Sequence, residues 1–308
     1  YTDAGYFGLI RNLLRWGWLV PYLFGASPAV CKSFLGGRPT RLPEFDAHTY
    51  FEPYACSLRM GDIGYQNSKE LGTGVKANYD GLEAYLASLV WAIETPCPEY
   101  QRFGVKVNGS YQQLNANILQ IENEYYSSVR PKQSPDGNEK PSLALRRRGV
   151  QYIELRSLDI NLYDPLGISE TQCRFLETFM AFCLFQASPA ISDSERREID
   201  YNLDAVCYRG RKPGLELQRN GSTVGLSQWA DELLDAMHGF AELLDTNQAD
   251  KIHVAALQAQ RAAVRDPDLT TSAQILAGMR KHHEGHFHFA QRMSRRHHEY
   301  FLNLPADP

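Results

Sequence analysis

Polar and apolar residues alternate with period two in three stretches of the first half of this 308-residue chain, whereas apolar residues recur three or four apart through most of the second half. Period two marks a strand and period 3.6 a helix, because side chains alternate across a strand and wind around a helix. In Val150 to Ile160 (VQYIELRSLDI) the alternation sets Tyr152, Glu154, Arg156 and Leu158 on one face, with Ile153 and Leu155 on the other. Tyr50 to Met60 reads as another strand, with Ala55, Ser57 and Arg59 opposite Cys56, Leu58 and Met60. In Asn117 to Tyr126 (NILQIENEYY), Ile118, Gln120, Glu122, Glu124 and Tyr126 share a face and Leu119 and Ile121 take the other.

Helical spacing predicts a first helix over Ala4 to Leu19 and a short second one, capped by Ser27 and begun at Pro28, through Leu35. Two more fall at Gly81 to Ile93 and at 142–148. From Ser169 onward the pattern is helical over 169–187, 193–207, 226–246, 250–265, 270–282 and 284–301, broken by GRKPGLEL at 210–217. Strands mixed with helices, then helices alone, predict an α+β fold with an antiparallel sheet rather than a doubly wound one. Residues 1–168 form the sheet-containing, catalytic region in this reading, and 169–308 a mainly helical region packed on the sheet.

Composition narrows the classes. With 43% hydrophobic residues the chain has material for a sizeable core, and a net charge of -4 with one short basic run, Arg146 to Arg148, gives no nucleic-acid footprint. Six widely spaced cysteines without a CxxC pair fit a reducing, cytoplasmic setting better than a metal or disulfide framework. Tyr6 to Phe24 is apolar but carries Arg11, Arg15 and Pro21, the wrong pattern for a membrane span. The chain opens on Tyr1 directly into a helical pattern and reads as a fragment.

Several residues carry candidate chemistry. Glu122, Glu124 and Glu154 suit ligation of a hard divalent cation, or are solvated sheet carboxylates. Arg59, Arg130, Lys132 and Arg156 suit a clamp on a phosphoryl group or a carboxylate, or are surface ion-pair partners. The run KHHEGHFHF is not HExxH, and only His282 and His286 align on a helix, so a polar helix is the better reading. No Walker A and no GxGxxG sequence occurs.

Five ordered runs, PYLFGASPAVCKSFL (21–35), SLRMGDIGYQN (57–67), LQIENEYYSSVRPK (119–132), GVQYIELRSLDINLYDPLGI (149–168) and GRKPGL (210–215), resemble the proteobacterial type of glutamate-cysteine ligase, or γ-glutamylcysteine synthetase. The resemblance implies a glutamine-synthetase-like antiparallel sheet funnel with a helical C-terminal cover. It implies ATP-dependent joining of the γ-carboxylate of L-glutamate to L-cysteine through a γ-glutamyl phosphate, the first step of glutathione biosynthesis, in a cytoplasmic, monomeric enzyme. Mg²⁺ (or Mn²⁺) is the implied cofactor and ATP the co-substrate. By the same resemblance Glu154 is a metal ligand and Arg156 the catalytic arginine of phosphoryl and acyl-phosphate chemistry. Arg59, Tyr65 and Tyr126 match contacts to the amino-acid substrates, and Arg130 and Lys132 are candidates for the nucleotide side.

The chain departs from the family in lacking an upstream ExE-type segment and a GxHxN-type strand, and it stops at LNLPADP. That implies missing N-terminal strands and an incomplete active site. The alternatives are a non-catalytic fragment that binds nucleotide or amino acid, one half of an enzyme completed by a separate polypeptide, and a ligase of the same fold using another amine.

Overall fold

The computed structural model describes residues 2–64 and 76–305. In chain order its elements are α1 (Thr2–Trp16), α2 (Leu19–Phe24), β1 (Ala29–Cys31), β2 (Glu44–Asp46), β3 (Thr49–Phe51), α3 (Leu82–Glu94), α4 (Pro98–Phe103), β4 (Lys106–Val107) and β5 (Ser110–Tyr111). There follow β6 (Val129–Lys132), α5 (Pro141–Arg148), β7 (Tyr152–Leu155), α6 (Glu170–Phe185), α7 (Asp193–Arg209), β8 (Glu216–Arg219) and β9 (Ser222–Gly225). Four helices close the chain: α8 (Leu226–Leu244), α9 (Ile252–Arg265), α10 (Thr271–His282) and α11 (His286–Leu302). This is a mixed helix and sheet architecture in which every ladder among the described residues is antiparallel.

The chain folds as two compact units. The first comprises residues 1–15, 65–156 and 183–192. Helix α1 buries Phe7, Ile10 and Leu13, one per turn, as an amphipathic helix should. Asn12 is buried beside them, and its amide donates to the carbonyls of Cys183 (2.9 Å) and Gln186 (3.2 Å). That tie fastens the returning segment 183–192 to the helix. Tyr85 and Leu89 of α3 point into the same core, where Tyr85 meets Phe7, Tyr79 and Tyr125 at ring distances of 6.0, 5.5 and 6.4 Å. Strands β6 and β7 form a two-stranded ribbon.

The second unit comprises residues 16–64, 157–182 and 193–308. Its sheet has the order β1-β3-β2, and its core joins Ala26 and Ala29 to Ile275, Leu276 and Met279 of α10 and Phe289 and Met293 of α11. Helix α8 buries Leu226, Ala230, Leu233, Leu234, Met237 and Ala241, the three-and-four spacing of a core-facing helix. The α8–α9 turn is held by Asp245, which has no solvent exposure. Its carboxylate accepts from the backbone N–H groups of His253 (3.1 Å) and Val254 (3.0 Å) in the first turn of α9, and from His253 Nδ1 (2.7 Å). It is thus a tertiary cap for a helix whose own N-terminal residue offers none. Burial works to raise the Asp245 carboxyl, but the Val254 and His253 donors outweigh it and hold the group below the usual range. A carboxylate with a depressed folded-state pKa contributes stability above its unfolded value, about 4, and loses it as pH falls through the folded value. Asp245→Ala therefore costs about 3 kcal/mol or more at pH 7. Melting curves of both proteins will show the gap narrow as the pH drops below about 4; a gap independent of pH would contradict this assignment.

The helices from residue 169 onward agree with the sequence expectation to within about two residues, whereas the expected strands are shorter or absent. The Tyr50 to Met60 strand ends at Phe51, because Pro53 stands at the second position of a turn closed by Ala55 N–H donating to Glu52 O (3.1 Å), and Leu58–Met60 is a 3-10 turn. Asn117 to Tyr126 is not a strand. There Asn117 N–H bonds Asn115 Oδ1, Leu114 N–H bonds Gln120 Oε1 and Gln120 N–H bonds Glu124 Oε2, side-chain bonds that compete with a sheet ladder. The Val150 to Ile160 strand is confined to Tyr152–Leu155, the length its partner allows. The helix expected from Pro28 is β1 followed by a 3-10 turn at Lys32–Leu35, because the Ser27 hydroxyl donates to Asp159 (2.8 Å) instead of capping. The first expected helix breaks after Trp16 since Pro21 has no N–H to return to Gly17.

Candidate active site

The β6–β7 register places Arg130 opposite Glu154 and Lys132 opposite Tyr152. Residues opposite each other in an antiparallel pair point to the same side. The pairing runs one step further, Arg156 N–H donating to Ser128 O (2.7 Å), so Arg156 keeps the parity of Glu154. The Arg156 guanidinium lies over the Tyr126 ring, 4.7 Å from its centroid. One face of a four-residue ribbon thus carries Arg130, Lys132, Glu154 and Arg156, with Tyr126 as a platform beneath the last.

Two atoms on this face lack partners among the described residues: Glu154 Oε2 and Arg130 Nε are both buried and make no hydrogen bond. Lys132 Nζ approaches Glu154 Oε2 at 3.5 Å, an ionic contact too long for a good hydrogen bond. Leaving a buried polar atom unpaired costs about 1–3 kcal/mol, so such atoms mark strain or a place completed by something else. The Glu154 side chain is 39% exposed although that one oxygen is buried, so the carboxylate spans interior and solvent. Arg130 is otherwise held by a hydrogen bond with Tyr85, whose phenol burial pushes well up.

The donor set bears on a metal. No group of three or more His, Cys, Asp or Glu side chains suited to a metal occurs among the described residues. A single unpaired carboxylate oxygen fits Mg²⁺ in the manner of nucleotide sites, where the ion keeps waters and shares one or two carboxylates with phosphates. Glu122 and Glu124 do not join Glu154. Glu122 is buried and accepts from Ser142 N–H (2.7 Å) and the Ser142 hydroxyl (2.6 Å) at the start of α5, and Glu124 accepts from Gln120 N–H (2.6 Å). The 3-10 turn Glu122–Glu124 breaks the parity that put both on the face of Tyr126.

Arg59 stands in the second unit, in the 3-10 turn Leu58–Met60. Its Nε donates to Asp159 Oδ1 (2.5 Å) and its Nη2 to Leu158 O (3.0 Å). Asp159, within the run RSLD, was not singled out by sequence reasoning; a lone acid among apolar neighbours three residues past Arg156 was the available signal. Tyr65 lies outside the described residues. Burial pushes the Cys56 thiol up to about 12 and raises Cys31, Cys183 and Cys207 as well, the opposite of activation. No helix among the described residues is long and apolar enough to cross a membrane.

The family model of glutamate-cysteine ligase matches residues 1–206. Glutamate–cysteine ligase of Pseudomonas paraeruginosa is 50% identical over 305 residues, covering 99% of this chain and 57% of that protein; the Pseudomonas putida KT2440 enzyme is 48% identical, with 58% of it covered. The crystal structure of Francisella tularensis glutamate–cysteine ligase in complex with AMP superposes with a TM-score of 0.89 at 35% identity, covering 99% of this chain and 60% of that one. A bifunctional glutathione synthetase from Pasteurella multocida, 20% identical with a TM-score of 0.67, shares the fold across 97% of this chain and 33% of its own. The chain spans somewhat over half the length of the curated relatives it matches. On the family-model match and these identities, the chain belongs to the glutamate-cysteine ligase family.

Proposed function

We propose that this chain carries part of the active site of an ATP-dependent ligase that joins the γ-carboxylate of L-glutamate to the amino group of L-cysteine. The observation that carries this reading is the unpaired Glu154 Oε2 beside the unpaired Arg130 Nε on one ribbon face. An anion-and-cation pair left incomplete suits a ligand that presents both a bridging cation and phosphate oxygens. The AMP bound by the Francisella relative supports a nucleotide as that ligand.

The γ-carboxylate of glutamate attacks the γ-phosphorus of ATP, giving γ-glutamyl phosphate and ADP. The cysteine amine, once deprotonated, then attacks the acyl carbon and phosphate leaves with the bonding pair. Glu154 would hold Mg²⁺ (or Mn²⁺), which when bound neutralises phosphate charge and polarises the transferring group. Arg156, its plane set by Tyr126, faces the charge that develops on the phosphoryl oxygens. The family resemblance gives Arg130 and Lys132 the nucleotide side, and Arg59, Tyr65 and Tyr126 each a contact to an amino-acid substrate. Sequestering the acyl phosphate from water is the task of the surrounding sheet.

The fold we assign to the whole enzyme is the glutamine-synthetase-like sheet funnel, with strands from an N-terminal segment beyond this chain completing it. Support comes from the ribbon's edges. By the β6–β7 register Pro131 turns its backbone outward, where it has no N–H to offer a further strand. On the other edge, the outward N–H and C=O groups of Ile153 and Leu155 make no hydrogen bond to described residues. A blunted edge and an open one direct any further strand to β7.

The test is ADP release from Mg·ATP with L-glutamate and L-cysteine, on this chain and on a form extended to the full length of its relatives. Release that requires both amino acids, in the extended form, is the expected result. Silence in both forms would favour a non-catalytic nucleotide or amino-acid binder, and turnover with other amines but not cysteine would move the acceptor.

A further inference from the structure

The chemistry above uses Arg59 but leaves out the carboxylate that holds it. Asp159 is 5% exposed. Its Oδ2 accepts from Ala26 N–H and from the Ser27 hydroxyl, each at 2.8 Å, while Oδ1 takes Arg59 Nε. The Ser27 oxygen in turn accepts Arg59 N–H at 3.2 Å, and Leu58 N–H donates to Ser27 O at 2.7 Å. Three segments far apart in the chain, Ala26–Ser27, Leu58–Arg59 and Leu158–Asp159, therefore meet on one carboxylate. Three donors of this kind on the carboxylate, from Ala26, Ser27 and Arg59, offset the cost of burying an anion.

What the arrangement controls is the guanidinium. Asp159 grips Nε and Leu158 O grips Nη2, so one edge of a planar fork is fixed at two points and the direction of Nη1 follows from planarity. The Arg59 side chain is 28% exposed and that of Asp159 only 4%, which puts the cation at the surface and its clamp beneath. We propose that Asp159 is a positioning residue for the amino-acid substrate: it sets the plane in which Arg59 presents its N–H fork to a substrate carboxylate. This rests on the reading of Arg59 as an amino-acid contact. An arginine free to swing would give the same charge without the bidentate geometry that distinguishes a carboxylate from other anions.

The experiment is a double-mutant cycle on L-glutamate binding by calorimetry, using this chain as wild type, Arg59→Ala, Asp159→Asn and the double variant. Each single change is expected to weaken binding about tenfold or more, with the double variant no weaker than Arg59→Ala alone. A purely structural Asp159 would give losses that multiply, and that result, or an Asp159→Asn affinity equal to wild type, overturns the proposal while leaving the amino-acid reading intact. No L-glutamate binding by the wild-type chain overturns both. Should Asp159→Asn fail to fold, the ¹⁵N-labelled Arg59 Nε–H of the wild-type chain decides: slow exchange with water and a shift on adding L-glutamate are expected, and exchange as fast as an exposed arginine's refutes the clamp.

Discussion

Replacing Glu154 by alanine is expected to slow ADP release about a hundredfold or more in the length of the protein that turns over, because it removes the carboxylate assigned to the metal. The same change should leave the melting temperature unchanged or higher. Glu154 Oε2 is buried without a hydrogen bond and meets only the long Lys132 contact, so deleting it removes a group whose desolvation is poorly repaid within the described residues. Loss of activity without loss of stability is what separates a ligand-binding carboxylate from a structural one. Wild-type turnover in Glu154→Ala, or a lower melting temperature with activity falling in proportion, would remove Glu154 from the site. Arg156→Lys should share the kinetic defect, since an ammonium keeps the charge but loses the flat stacking on Tyr126 and the fork that faces phosphate oxygens. Lys132→Ala should do less, its 3.5 Å contact with Glu154 being long and partly solvated.

A large effect on stability is expected at Gly25, where α2 ends. Its backbone dihedrals are ordinary, φ -59° and ψ 133°, so the constraint is one of space. A Cβ there would stand 2.4 Å from Pro21 O and 2.5 Å from Cys56 O, both backbone atoms that no rotamer change can move aside. Gly25→Ala must push the end of α2 off the segment that leads from Cys56 to Arg59, at a cost of about 3 kcal/mol or more. Gly5 provides the contrast. It lies inside α1 with nothing within 4 Å of its would-be Cβ, so Gly5→Ala should stabilise by about 0.5–1 kcal/mol. Denaturant titrations of the two variants would settle both signs, and a Gly25→Ala midpoint near wild type would show that the α2 end yields more easily than this packing allows.

Legibility differed sharply between the two kinds of element. The helices of the second half were readable because each is long, its apolar stripe repeats over several turns and its hydrogen bonds close within itself; α8, with its stripe from Leu226 to Ala241, is the plainest case. Strands depend on a partner that the local sequence does not name. The alternation in Asn117 to Tyr126 was real, yet Asn115, Gln120 and Glu124 turned their side chains onto neighbouring N–H groups and no ladder formed. In Val150 to Ile160 the parity survived, because four residues do pair with β6, and parity is all that was needed to put Glu154 and Arg156 on one side.

By itself the sequence determined the helical second half, the family through five ordered runs, and the shared face of Glu154 and Arg156, since periodicity and short-range parity are properties of a chain's own covalent geometry. Only the tertiary structure decided that Arg130 stands opposite Glu154 and that each keeps an unpaired buried atom. It alone decided that Glu122 caps a helix instead of joining the acids, and that Asp159 gathers Ala26, Ser27 and Arg59 from separations of up to 133 residues. Burial and long-range pairing follow from which surfaces meet when the chain closes on itself, and no local pattern of residue types records that.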